Sequence, residues 1–240
     1  MTQVAQRQAT LAAINTELSS RNLKTLRKLG DSSRGEIEVV GLKAFYEHSA
    51  RFFTDVKFDV LFPGGKSGEF TVRFNANGSV SDGAVIVSVV NGRFAIVKQW
   101  RLPLSQWTYE VPRGFGEQVD KAQINGVLGT ISIADLPLGT VTRELGEEVM
   151  KDATIQSITH LGNIAENSGT SNIAPSYFLV QITVDEKLLE GKISGSEDSM
   201  KVYFWDAATV QTELGQKIVD NHSITGLALA RRHIELLPRI

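Results

Sequence analysis

A mixed α/β chain, with a sheet flanked by helices and a small helix-and-strand extension ahead of it, is what the sequence predicts from three observations. Short runs rich in β-branched and aromatic residues recur between residues 36 and 110, and again between 157 and 205. Helically spaced apolar residues stand near both ends and within an acidic stretch at 140–152. The 240 residues, 42% hydrophobic and 22% charged, suit one globular domain with an elaboration or two smaller ones.

The elements follow in order. Leu11, Ile14, Leu18, Leu23, Leu26 and Leu29 recur at roughly helical spacing, broken near "SSRN", which suggests one or two amphipathic helices. Between residues 35 and 74 the pattern turns strand-like, with "EIEVVGLKAF", "FDVLF" and "EFTVRF" separated by the turn-forming "PGGKSG". Residues 1–75 therefore read as an accessory region and 76–240 as the main domain. There, "GAVIVSVV", "GRFAIVKQW" and "WTYEVP" read as strands, and Asn91-Gly92 between the first two is a hairpin cue. A glycine-rich loop and the acidic helix come next, then strands at "SITHLGNI", "SYFLVQITV" and "KVYFWDA", and a closing helix over 224–237.

Composition removes several function classes. A formal charge of −2 offers nothing global to attract nucleic acid or an anionic membrane, so any anion site is built locally. The absence of cysteine removes disulfides, thiolate metal sites and cysteine nucleophiles. The first residues lack the basic-then-apolar pattern of a signal peptide, and the apolar runs are too short to span a bilayer, so a soluble, cytoplasmic protein is expected. "FPGGKSGEF" contains Gly-Lys-Ser, but Val60 stands where a P-loop requires its first glycine, and the stretch reads as a hairpin turn. His48, His160, His222 and His233 show no zinc-ligand spacing, and no Gly-x-Ser-x-Gly elbow occurs.

The acidic stretch "TVTRELGEEVMKD" carries the chemistry. Asp135 is a candidate N-cap with Pro137 in the first turn, and Val141, Leu145 and Val149 form one apolar stripe. Glu144, Glu147 and Glu148 stand at i, i+3 and i+4, so their carboxylates share one patch, within reach of Arg143. Two carboxylates ~4 Å apart repel by about 4 kcal/mol at an effective dielectric near 20, whereas an Arg–Glu pair on a solvated face returns only about 0.2–0.5 kcal/mol. A divalent cation turns that repulsion into attraction, and oxygen donors without Cys or His suit Mg²⁺, or Mn²⁺, rather than zinc.

These residues resemble the Nudix hydrolase superfamily. "RELGEEV" matches the core of the Nudix box, and "GAVIVSVVNGRFAIVKQWRLPLSQWTYEVPRGFGE" resembles the strands, Gln-x-Arg segment and E-x-P-x-G loop that precede the box in the ADP-ribose pyrophosphatase-like branch. "LGNIAENSG" and "KIVDNHSITGLALARRH" resemble the loop after the box and the closing helix, so the likeness covers about residues 83 to 235. The chain departs from the pattern in an insertion and at single positions. Gly129 and Asp135 satisfy the box count, yet "VPRGFGE" lies earlier, which implies an insertion "QVDKAQINGVLGTIS" and makes Gly114 the equivalent of the box glycine. Met150 and Lys151 stand where the family prefers glycine and an apolar residue, and Ile173 where the branch often carries the glutamate that acts as general base.

The resemblance implies a Nudix-type α/β/α sandwich with a mixed sheet and Mg²⁺-dependent hydrolysis of a nucleoside diphosphate linked to another group, with ADP-ribose or a nucleotide sugar as substrate. It implies Glu144 and Glu148 as metal ligands, Glu147 as ligand or water orienter, Arg143 as brace, and the Arg113 carbonyl as a further ligand. Arg101 is then the candidate for the diphosphate, Glu110 a ribose or metal contact, Trp100 a wall of the nucleotide pocket, and Glu166 the substitute base, with Glu117 the other nearby acid. The N-terminal region resembles those that build homodimers in this branch. The alternative is a Nudix-fold nucleotide-binding or regulatory module whose catalysis is weakened by the insertion, Met150 and Ile173.

Overall fold

In the computed structural model, residues 2–47, 52–76, 82–114, 154–188 and 201–234 are described. They fall into two compact units, one comprising residues 1–82 with 165–174, the other 83–164 with 175–240.

The first unit packs helix α1 (Gln3–Ser20) on a three-stranded antiparallel sheet in the order β1 (Glu38–Glu47), β2 (Phe53–Leu61), β3 (Ser67–Asn75). Thr2 caps the helix by accepting the Ala5 N–H. Strand β2 alternates strictly, with Thr54, Val56, Phe58 and Val60 buried between partly exposed neighbours. Val56, Phe58 and Val60 meet Ile14 and Leu18 of α1 in one apolar cluster. Leu23 and Leu29 join it, but from outside any helix: the chain leaves α1 through Asn22 at φ 57°. Asn15 then takes both the N–H (2.8 Å) and the C=O (3.0 Å) of Leu26. The leucine spacing thus encodes one helix and an irregular segment whose backbone is satisfied by a side chain. "PGGKSG" joins β2 to β3, with Gly64 and Gly65 at φ 87° and 80°. A strand-to-strand turn of this kind has no helix N-terminus on which to hold phosphate.

Glu38, at the start of β1, accepts from the N–H (3.1 Å) and hydroxyl (2.9 Å) of Ser32 and pairs with Arg7. The Ser32 bonds first, and Arg7 after them, hold its carboxyl below the usual glutamate range. A carboxylate with a lowered folded pKa contributes stability above its unfolded value of about 4.3, and that contribution is lost as pH falls through the folded value. Glu38→Gln is therefore expected to lower the melting temperature near neutral pH. The gap from wild type should shrink on acidification below about pH 4, read by thermal unfolding across a pH series.

Segment Ala165–Ala174 runs between two strands of the second unit yet belongs to the first. Ser171 bridges Arg73 of β3 in parallel, with Arg73 N–H donating to Thr170 C=O and Asn172 N–H to Arg73 C=O, both at 2.8 Å. Asp82, almost wholly buried, accepts the Ala174 N–H at 2.7 Å and pairs with Lys24.

The second unit is a mixed seven-stranded sheet. Its strands are β4 (Ala84–Val90), β5 (Arg93–Arg101), β6 (Gln106–Glu110), β7 (Arg113–Gly114), β8 (Thr154–Asn163), β9 (Ser176–Thr183) and β10 (Lys201–Trp205). The spatial order is β10-β5-β4-β9-β8, with β6 on β5 and β7 on β4, and only β4 and β9 run parallel. Every residue of β4 is buried, as befits a strand at the centre of such a sheet. Its alternate side chains feed two clusters, Ile86 and Val90 on one face, Val85, Val87 and Val89 on the other. Asn91 and Gly92, at φ 46° and 80°, make the hairpin turn from β4 to β5 that the Asn-Gly pair predicts.

Val210 of α2 (Ala207–Glu213) and Leu227 and Ala230 of α3 (Asn221–Ala230) cover the second of these faces. Helix α3 sits close because Gly226 has no side chain: a Cβ there would lie 3.1 Å from Val87 Cγ2. The closing helix starts three residues before the expected 224 because Asp220 caps it, and it ends at Ala230. The mixed α+β class with a helix-and-strand extension agrees with the sequence reading. Among the described residues no helix is long and apolar enough to cross a membrane.

Candidate active site

The "E-x-P-x-G" loop sits where β6 ends and β7 begins, and antiparallel pairing decides what its neighbours face. In the β5–β6 ladder, Gln99 pairs with Thr108, Arg101 with Gln106 and Val97 with Glu110, so Arg101, Thr108 and Glu110 share one face. Arg101 reaches back along that face and grips Glu110 with two bonds, Nε to Oε1 at 2.7 Å and Nη2 to Oε2. Thr108 donates its hydroxyl to Oε1 at 2.6 Å, and Arg113 Nη2 stands 3.4 Å from Oε2. The Glu110 side chain is 1% exposed, so this carboxylate is a buried anion held by two cations and a hydroxyl.

The cluster continues into α3. Arg113 Nη1 lies 3.5 Å from Asp220 Oδ1, while Asp220 Oδ2 accepts both the N–H and the hydroxyl of Ser223 at 2.9 Å. Ser223 Oγ in turn accepts the Val111 N–H at 3.0 Å. Two arginines and two carboxylates balance within one polar network linking β5, β6, the loop and the helix cap. A buried His222 lies next to Ser223, its Nδ1 2.7 Å from the Tyr177 hydroxyl.

Backbone geometry adds one donor. Ile86 N–H donates to the Pro112 carbonyl at 2.9 Å, and Val85 faces Arg113. In an antiparallel ladder this is a non-hydrogen-bonded pair, which turns the Arg113 carbonyl away from β4. Gly114, beside it, pairs with Ala84.

The expected site residues separate into three groups. Arg101, Glu110 and Arg113 are brought together, the first two as partners of one another. Trp100 is 47% exposed and meets Trp107 edge-on at 5.8 Å, with Lys98 Nζ 5.2 Å from the Trp107 ring centre. Glu166 is an exposed residue of the first unit; its N–H donates to Ile173 C=O at 2.9 Å. Its charge helps to raise the Arg73 pKa, behind the larger effect of the hydrogen bond from Arg73 to Asp55. Ile173 is buried in an apolar role, so the position expected to carry an acid packs instead. Arg143, Glu144, Glu147, Glu148, Met150 and Glu117 lie outside the described residues. Among the described residues no group of three or more His, Asp or Glu could hold a metal ion.

Sequence reasoning missed Thr108, Asp220 and Ser223. Asp220 and Ser223 stand at the N-cap and N3 spacing that marks a helix start, which was the available signal. Thr108 could have been found by laying β5 against β6, which places it between Arg101 and Glu110.

No family model matches the chain. No curated protein matches it either. The architecture matches 102 chains of solved structures. Among them, the crystal structure of an ADP compounds hydrolase is similar with a TM-score of 0.57 at 14% identity, over 82% of this chain and 93% of that one. At that identity the likeness speaks to the fold.

Proposed function

We propose that this chain is a Nudix-type hydrolase that uses a divalent cation to cleave a nucleoside diphosphate linked to another group, ADP-ribose or a nucleotide sugar, releasing a nucleoside monophosphate and a phosphorylated product. The observation that carries the reading is the acidic "RELGEEV" motif following an "E-x-P-x-G" loop in sequence, in a chain whose fold is similar to that of an ADP compounds hydrolase. The outward Arg113 carbonyl supports it, because it adds a hard oxygen donor at the loop that leads into the acidic segment. Together with the Glu144 and Glu148 carboxylates, and with no cysteine in the chain, the donor set fits Mg²⁺ or Mn²⁺.

When bound, such an ion neutralises the nonbridging diphosphate oxygens and makes its bound water more acidic. The chain's own residues divide the rest. Glu144 and Glu148 hold the cation, Glu147 orients the attacking water, and Arg143 braces the three carboxylates. Arg101 receives the diphosphate, and its bidentate grip on buried Glu110 fixes the plane of the guanidinium before the substrate arrives. Glu166 takes the proton from water, whereas Trp100, on the face of the β5–β6 ladder opposite Arg101, does not stand beside the diphosphate contact. The first unit is proposed to form a homodimer.

A second reading, a nucleotide-binding module with weak catalysis, is favoured by one observation: Ile173, at the position where the branch carries its base, is a packed apolar residue. A panel of ADP-ribose, UDP-sugars and dinucleotides, incubated with Mg²⁺ or with a chelator and resolved by mass spectrometry, separates the two. The hydrolase reading requires a nucleoside monophosphate that appears with Mg²⁺ and not with chelator. Binding of the same compounds without any product supports the module.

A further inference from the structure

We propose that Asp220 and Ser223, at the start of α3, are positioning residues for the loop that presents the Arg113 carbonyl. The inference rests on the reading of that carbonyl as a metal ligand, and it extends the site to residues that touch neither metal nor substrate.

One carboxylate holds both ends of the loop. At the near end, the Val111 N–H is buried and its acceptor is Ser223 Oγ, whose own proton goes to Asp220 Oδ2. At the far end, Asp220 Oδ1 faces the Arg113 guanidinium. Between them Pro112 has no N–H to give and restricts its own φ, while its carbonyl is fixed by Ile86. The orientation of the Arg113 carbonyl is thus set by a strand on one side and by a helix cap on the other. An ordinary N-cap needs only the Ser223 N–H to Asp220 bond; the hydroxyl relay to Val111 and the approach to Arg113 are additional and both end on the loop. Gly226 keeps α3 near enough to the sheet for the relay to close.

Metal ligands aligned by surrounding hydrogen bonds lose about 10–100-fold in affinity when those bonds are removed. The test is Mn²⁺ binding to the full chain, followed by electron paramagnetic resonance, for wild type, Ser223→Ala, Asp220→Asn, Ser223→Thr and Glu148→Gln. Asparagine still caps a helix, so Asp220→Asn keeps the fold and carries the test if Ser223→Ala does not fold.

The expected result is an Mn²⁺ dissociation constant raised about 10-fold or more in Ser223→Ala and Asp220→Asn. Recovery is expected in Ser223→Thr, which restores the hydroxyl. A role in folding alone would lower the melting temperature without moving the affinity of the folded protein. If Glu148→Gln loses Mn²⁺ while folded Ser223→Ala and Asp220→Asn bind it within twofold of wild type, the positioning role is overturned and the metal site stands. If Glu148→Gln binds as wild type does, the metal-site reading falls, and this inference falls with it.

Discussion

Glu110→Ala is expected to destabilise the second unit by about 3–5 kcal/mol, the cost of breaking a buried ion pair by removing one partner. The carboxylate is 1% exposed and meets Arg101, Thr108 and Arg113 at once, so its loss takes the bidentate acceptor from Arg101 and one of two carboxylates from Arg113, which keeps Asp220. Both arginines keep 28% of their side-chain surface, which lets water reach them and places the loss toward the lower end of that range. Chemical denaturation should report the change as a lower midpoint with an unaltered slope. The double variant Arg101→Ala with Glu110→Ala removes the guanidinium together with the carboxylate that it grips. It should lose less than the sum of the two single changes, because residues in direct contact are not additive. Additive losses would mean that the pair contributes no coupling.

Glu148→Gln is expected to cut turnover by about 10²–10⁴-fold, the range for losing a group that acts at the reacting centre. Glutamine is nearly isosteric, but it gives a metal an amide oxygen in place of an anionic one. The melting temperature without metal should therefore stay at or above that of wild type, since one member of a mutually repelling carboxylate cluster has been neutralised. A variant that loses activity together with its fold would point to a structural acid.

Legibility in the sequence followed the range of the interaction. Asn91-Gly92 predicted its hairpin because a turn with two positive φ values is encoded by two adjacent residues. Strand β2 declared its buried face through strict alternation. The leucines from 23 to 29 left one helix or two open, because spacing alone does not reveal that the Asn15 side chain will satisfy the Leu26 backbone and remove the need for a second helix. Membership of segment 165–174 in the first unit was hidden for the same reason: it depends on a parallel bridge from Ser171 to Arg73 and on the carboxylate of Asp82, all remote in sequence.

The candidate site was legible as residues but not as a network. Arg101 and Glu110 were singled out separately as substrate contacts, and only the register of β5 against β6 makes them partners. That pairing changes the chemistry expected of Arg101. Its charge is balanced by Glu110, so in the proposed site it would contribute direction and hydrogen bonds more than net attraction to a diphosphate, and that attraction would fall to a cation at the acidic stretch. Asp220 was missed although its spacing to Ser223 is that of a helix cap, and its second task at Arg113 needed the fold to bring the two together.

The proposed role of the acidic stretch at 140–152 and the loop before it is to hold the divalent cation that opens a diphosphate. Its most direct test is the initial rate of nucleoside monophosphate release from ADP-ribose, and from UDP-sugars in parallel, as Mg²⁺ is titrated into metal-free protein. The account predicts a rate that is absent without metal, rises to saturation with Mg²⁺ and is abolished by chelator. Release that is indifferent to metal, or no release from any compound that the protein demonstrably binds, would contradict it.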